Sequence, residues 1–161
     1  MYHIIMLFFA LIFSPFNLAQ AKSESETVAD TIIYSVTDED FSFVKDSIES
    51  AITSKGYSIR GRLHISGMLE RTQKVMKIKT PLYTDATVVE FCSASLSHAM
   101  TQLHPANITA CPLTISLYTL MNQPERIQIA FRKPRLAGDA KALTQKIESI
   151  FHSIIKEAVF D

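Results

Sequence analysis

Cys92 and Cys111 are the only cysteines in this 161-residue chain, and they carry its most distinctive chemistry. In an oxidising compartment two thiols of one domain tend to pair, so a structural disulfide is the first reading. Two independent thiols and a pair of ligands are the alternatives, and the sequence leaves all three open. The pattern around Cys92 places it where a strand hands over to a helix. Backbone N–H groups and the positive helix end at such a junction can lower a thiol's pKa and hold an anion.

His98, Met100 and His104 follow Cys92 closely, and Cys111 comes soon after. Sulfur and imidazole within one stretch are ligands for a soft metal such as copper. The spacing argues against one helical face, because residues six apart diverge by about a third of a turn. Met100 also fits an apolar stripe, as a core methionine does. Arg60, Arg62, His64, Arg71, Lys74, Lys77 and Lys79 concentrate positive charge on one stretch. They are expected to form a basic face that meets an anion, or simply the solvated face of a sheet. The chain contains no Gly-x-Ser-x-Gly, His-Glu-x-x-His, Gly-rich phosphate loop or Cys-x-x-Cys, so no motif assigns an enzymatic activity or a cofactor. Asn107-Ile108-Thr109 matches a glycosylation acceptor.

The compartment is written at the N-terminus. Ile4 to Phe16 is apolar but broken by Pro15, and Ala19-Gln20-Ala21 follows as an Ala-x-Ala cleavage pattern. A membrane span needs about 20 uninterrupted apolar residues, so residues 1–21 are expected to be a cleaved export signal. Lys22 stands where an exported lipoprotein would carry its acylated cysteine. The expected product is periplasmic or secreted and not held at the membrane once the signal is removed. All 16 acidic and all 16 basic residues lie after residue 21, so the mature net charge is near zero, which argues against nucleic acid as a partner.

The elements that position these residues follow from periodicity. Lys22 to Asp30 is polar and reads as a mobile leader, and residues 31–161 as one domain. Thr31 to Val36 is a strand by composition. Thr37 and Asp40 resemble a capping box ahead of Phe41, Val44, Ile48, Ala51 and Ile52 at helical spacing, and Gly56 ends that helix. Tyr57 to Ile65 alternates with period two, Gly67 ends it, and Lys74 to Lys79 alternates again as its expected antiparallel partner. Ala86 to Phe91 is a further strand, and Ser93 or Ser95 caps a helix through Leu103. Leu113 to Tyr118 and Arg126 to Arg132 form a hairpin around a turn at Asn122 to Glu125. After Gly138-Asp139 a long helix carries Leu143, Ile147, Ile150, Phe151, Ile154, Ile155 and Ala158 on one stripe. Strands and helices segregated in this way predict an α+β domain with helices on one face of an antiparallel sheet.

Ala86-Thr87-Val88-Val89-Glu90-Phe91-Cys92, the helix through Leu96 and Leu103, and Cys111-Pro112-Leu113-Thr114-Ile115-Ser116-Leu117-Tyr118 together resemble the core of domain-of-unknown-function family 302. The helix ending at Gly56-Tyr57 resembles that family's opening. The resemblance implies a TATA-binding-protein-like α+β fold in strand, helix, strands, helix order, without implying DNA binding. This chain has Ser93-Ala94 where the family usually has Asn-Pro, and its Cys111 precedes Pro112 where many members place the cysteine after it. The family brings no established activity.

Three functional readings follow. The first is an exported, non-catalytic binding or accessory domain that holds a small ligand or protein in a cleft between sheet and helices. The second is a thiol or soft-metal protein built on Cys92, Cys111 and a histidine. The third is a homo-oligomer joined through an edge strand or the final helix.

Overall fold

Strict alternation over Leu113–Leu120 buries Leu113, Ile115, Leu117 and Thr119 and leaves the intervening side chains half-buried, which is the signature of a strand with one face on a core. The computed structural model describes residues 25–160, so the apolar N-terminal run and its cleavage pattern lie outside the described residues. In chain order the elements are β1 (Ser25–Val28), β2 (Thr31–Thr37), α1 (Phe41–Ser54), β3 (Ser58–His64), α2 (Ile65–Gln73), β4 (Tyr83–Cys92), α3 (Ala94–Leu103), a short 3-10 helix (Pro105–Ala110), β5 (Leu113–Leu120), β6 (Gln123–Arg132) and α4 (Lys141–Val159). The six strands form one sheet in the order β1-β2-β6-β5-β4-β3. Every neighbouring pair is antiparallel.

α1 and α4 lie against each other and cover one face of this sheet. Val44, Ile48, Ala51 and Ile52 of α1 and Ile147, Phe151, Ile154 and Ile155 of α4 are buried there. They meet Val89 and Phe91 of β4, Ile115 and Leu117 of β5, and Ile127, Ile129 and Phe131 of β6. Phe131 stacks on Phe151 at 4.5 Å between centroids and 9° between planes, and Phe91 meets Phe151 edge-on at 5.7 Å. Lys55 and Ser54 at the end of α1 bind the Glu157 carboxylate of α4, which holds that carboxyl below its usual range. The opposite face carries Ser35, Gln128, Thr114, Ser116, Tyr118 and Glu90, all half-buried, with Ser35 donating to Gln128 Oε1 at 2.9 Å.

The helix stripes and the β5–β6 hairpin follow the periodicity of the sequence, and Gly56 adopts φ +77° just past α1. Four local readings need correction. Ser25–Val28, inside the polar segment expected to be an unordered leader, pairs with β2 as an edge strand. All four of its residues are exposed, so it is held by backbone hydrogen bonds that composition does not report. The segment Lys74 to Lys79 is not a strand, and the partner of β3 is β4. Ile65, Met68 and Leu69 at helical spacing open α2 instead, with Gly67 inside its first turn. The cap of α1 is Asp40 alone, whose side chain accepts from Phe43 N at 3.0 Å. Asn107 is 3% exposed: its Nδ2 donates to the Met100 and Ala137 carbonyls and its Oδ1 accepts from Ala137 N at 2.7 Å, so the matched glycosylation acceptor is a structural clip.

Phe151→Ala should lower the free energy of unfolding by about 3–5 kcal/mol, because the stack on Phe131 and the edge contact with Phe91 both leave a cavity. Urea denaturation measures it; a loss under about 1 kcal/mol would show that the ring does not seat α4.

Candidate functional site

β4 ends at Cys92, Ser93 caps α3 by accepting from Leu96 N, and the 3-10 helix delivers Cys111 to the start of β5. Because Phe91 opposes Leu113 in the ladder, the two cysteines emerge beside each other at the mouth of this excursion. Their Sγ atoms are 2.9 Å apart and both residues are half-buried free thiols. Ser97 Oγ of α3 lies 3.5 Å from Cys111 Sγ. The helix end does not activate Cys92. Its thiol is pushed up to about 11, chiefly by burial and then by the hydrogen bond and charge of Cys111, with Arg60 acting in the opposite sense.

Two thiolates on one tetrahedral zinc, at about 2.3 Å per bond, would stand about 3.8 Å apart. The observed 2.9 Å is tighter than that spacing. His98 is exposed on α3, while His104 Nδ1 accepts from Ala106 N and so caps the 3-10 helix. Among the described residues no three His, Cys, Asp or Glu side chains gather as a metal-ion site.

The basic stretch is divided by a β-bulge. Ile59 opposes Phe91 and Gly61 opposes Glu90, which leaves Arg60 as the extra residue. Arg60 therefore shares the open face with Cys92, and Gly61 follows on that same face. A Cβ at Gly61 would lie 2.5 Å from Glu90 Oε2, so the carboxylate occupies the space a side chain would need. Beyond the bulge the phase is inverted. Arg62 reaches the helix-covered side and pairs with Glu49 of α1 through Nε at 2.8 Å and Nη2 at 2.6 Å, and this pairing raises the pKa of its guanidinium. His64 is exposed at the strand's end, opposite Thr87. Arg71 lies on α2, with Lys74, Lys77 and Lys79 just beyond it, so the basic stretch is divided between β3, α2 and the segment after it rather than lying on one pair of strands. Period-two reading fails here because a single inserted residue reverses every side chain after it.

A second concavity lies elsewhere. α2, the segment that follows it, the start of β4 and the β5–β6 turn enclose a cleft of about 900 Å³. Apolar walls come from Leu69, Met76, Ile78, Leu82, Tyr83 and Met121, and among the described residues Glu70 and Asp85 are the charged residues lining it. The fold holds the walls by local bonds. Ile78 N donates to the Gln73 carbonyl, and Gln73 Nε2 donates back to the Ile78 carbonyl, which closes the turn after α2. Met121 N donates to the Leu82 carbonyl and ties the hairpin tip to the other side. α2 contributes no buried residue, and Met76, Ile78 and Leu82 are 66%, 52% and 61% exposed. The sequence did carry a signal for this site in the helical spacing of Ile65, Met68 and Leu69. The alternation of lysines with Val75, Met76 and Ile78 masked it.

A six-stranded antiparallel sheet with two helices seated on one face and helical excursions between its strands defines an α+β domain. The chain belongs to the family described as "Domain of unknown function DUF302", which matches residues 33–158. A similar solved structure is the crystal structure of an uncharacterized conserved DUF302 protein from Bacillus stearothermophilus. It is 12% identical, with a TM-score of 0.65 over 78% of this chain and 97% of that one, and the likeness speaks to the fold alone. No curated protein matches the chain.

With its thiol at about 11 rather than 9.0, Cys92 of the reduced, folded protein should be alkylated by iodoacetamide at pH 8 about 100-fold more slowly than in the urea-unfolded chain. Site-resolved peptide mass spectrometry measures this; equal rates would mean that the fold leaves the thiol in water.

Proposed function

We propose that this chain is an exported, non-catalytic binding domain, periplasmic or secreted, whose ligand lies in the cleft between α2 and the start of β4. The observation that carries the reading is the cleft itself. Its volume of about 900 Å³ falls within the range of small-molecule sites, and its walls are mostly apolar with a few convergent polar groups. Among the described residues two carboxylates and no cation line it, so the chemistry it favours is an apolar body bearing a positive charge. Among the described residues no helix is long and apolar enough to cross a membrane. A thiol pushed up to about 11 suits a structural role better than a nucleophilic one.

Titration calorimetry with dodecyltrimethylammonium and with dodecyl sulfate, each below its micellar concentration, tests the reading. The cation should bind saturably at one site and more tightly than the anion. The Glu70→Gln, Asp85→Asn double variant should weaken cation binding by roughly 2- to 10-fold while keeping the fold, as expected for partly exposed charges. Equal affinity for both amphiphiles, no saturable binding, or dimerisation that covers the cleft would each overturn it.

A further inference from the structure

Three observations converge on the excursion between β4 and β5. First, the Sγ atoms of Cys92 and Cys111 are 2.9 Å apart, about 0.9 Å beyond a disulfide bond and inside the spacing a shared metal would impose. Second, the flanking residues Phe91 and Leu113 are ladder partners, so the backbone beneath the pair is fixed by the sheet. Third, the excursion is already closed from within. Asn107 binds the Met100 carbonyl and both backbone groups of Ala137, and it anchors the 3-10 helix to α3 and to the segment before α4. The excursion thus has an internal clip and a fixed base, and the two thiols face each other where the base opens.

We infer that Cys92 and Cys111 are the site of a structural disulfide that closes this excursion as a covalent ring containing α3 and the 3-10 helix. The bridge requires an oxidant, and a disulfide of the exchange-active kind supplies one. One cysteine thiolate attacks a sulfur of the oxidant and expels a thiolate. The second cysteine thiolate attacks the protein sulfur of the mixed disulfide and expels the other. The two protons given up by Cys92 and Cys111 end on the two thiols released, and the two electrons go to the oxidant. The chain has no third cysteine, so pairing within the molecule has a single outcome. The high pKa of the Cys92 thiol fits a bond made once and kept, since exchange catalysts use low-pKa thiols. Closing a loop of this length constrains the unfolded chain, which is where the bridge has its main effect.

The test uses the purified, reduced, folded protein equilibrated with oxidised glutathione, followed by intact mass and thermal unfolding. The expected product is two hydrogens lighter than the reduced protein and carries no glutathione. Its unfolding midpoint should rise on the order of 10 °C. Cys92→Ser, run in parallel, should instead retain one glutathione on Cys111. Glutathione kept on both cysteines of the unsubstituted protein, or two thiols that remain alkylatable without reduction, would overturn the inference. None of these readouts depends on the cleft, so this inference and the binding proposal fail independently.

Discussion

The apolar face of the sheet leaves water chiefly where α1 and α4 sit on it, and the ring of Phe151 fixes that seat. It lies flat on Phe131 of β6 and edge-on to Phe91 of β4, so one side chain of the last helix touches two of the four strands that bear the core. Ring contacts of this kind are directional, which makes them better than aliphatic packing at setting where a helix lies. Around them Ile48, Ile52, Ile147, Ile154 and Ile155 complete a core with essentially no exposed surface. The Ser54, Lys55 and Glu157 contacts then register the two helices against each other at their outer ends.

What this core does not reach becomes available for function. α2 follows the edge strand β3, buries nothing, and continues into a segment whose apolar side chains face solvent. A stretch that spends Met76, Ile78 and Leu82 on water without stabilising the core is the kind of surface that marks a contact with another molecule. The bulge at Arg60 belongs to the same design. By reversing the phase of β3 it sends Arg62 to Glu49 on the helix side and leaves Arg60 on the open face near Cys92. One inserted residue thereby separates a charge used to hold α1 from a charge left on the open face.

Much of this was legible in the residues. The helical stripes of α1 and α4, the β5–β6 hairpin and the stop at Gly56 all follow from period and turn chemistry, because each depends on neighbours close in sequence. The resemblance to the DUF302 family, seen in the strand ending at Cys92 and the strand opening at Cys111-Pro112, holds over residues 33–158. Other features depend on partners far along the chain. Ser25–Val28 becomes a strand because β2 offers a free edge, and no side chain of its own announces that. The alternation from Lys74 to Lys79 satisfies a strand pattern, but β3 pairs with β4 instead, and α2 takes the apolar residues just before that segment. Asn107 matches a glycosylation acceptor by its neighbours in sequence, and only the convergence of Met100 and Ala137 on it shows that its side chain is buried.

The methionines offer the most direct test of the proposed cleft site. Met76 and Met121 line the cleft, whereas Met100 is 1% exposed within the core beneath α3. The measurement is a titration of methyl-labelled methionine protein with dodecyltrimethylammonium, followed by carbon–proton correlation spectra. The account predicts saturating shifts of the Met76 and Met121 methyl signals while Met100 stays in place. Saturating shifts at Met100 with Met76 and Met121 unmoved would place the ligand elsewhere and contradict it.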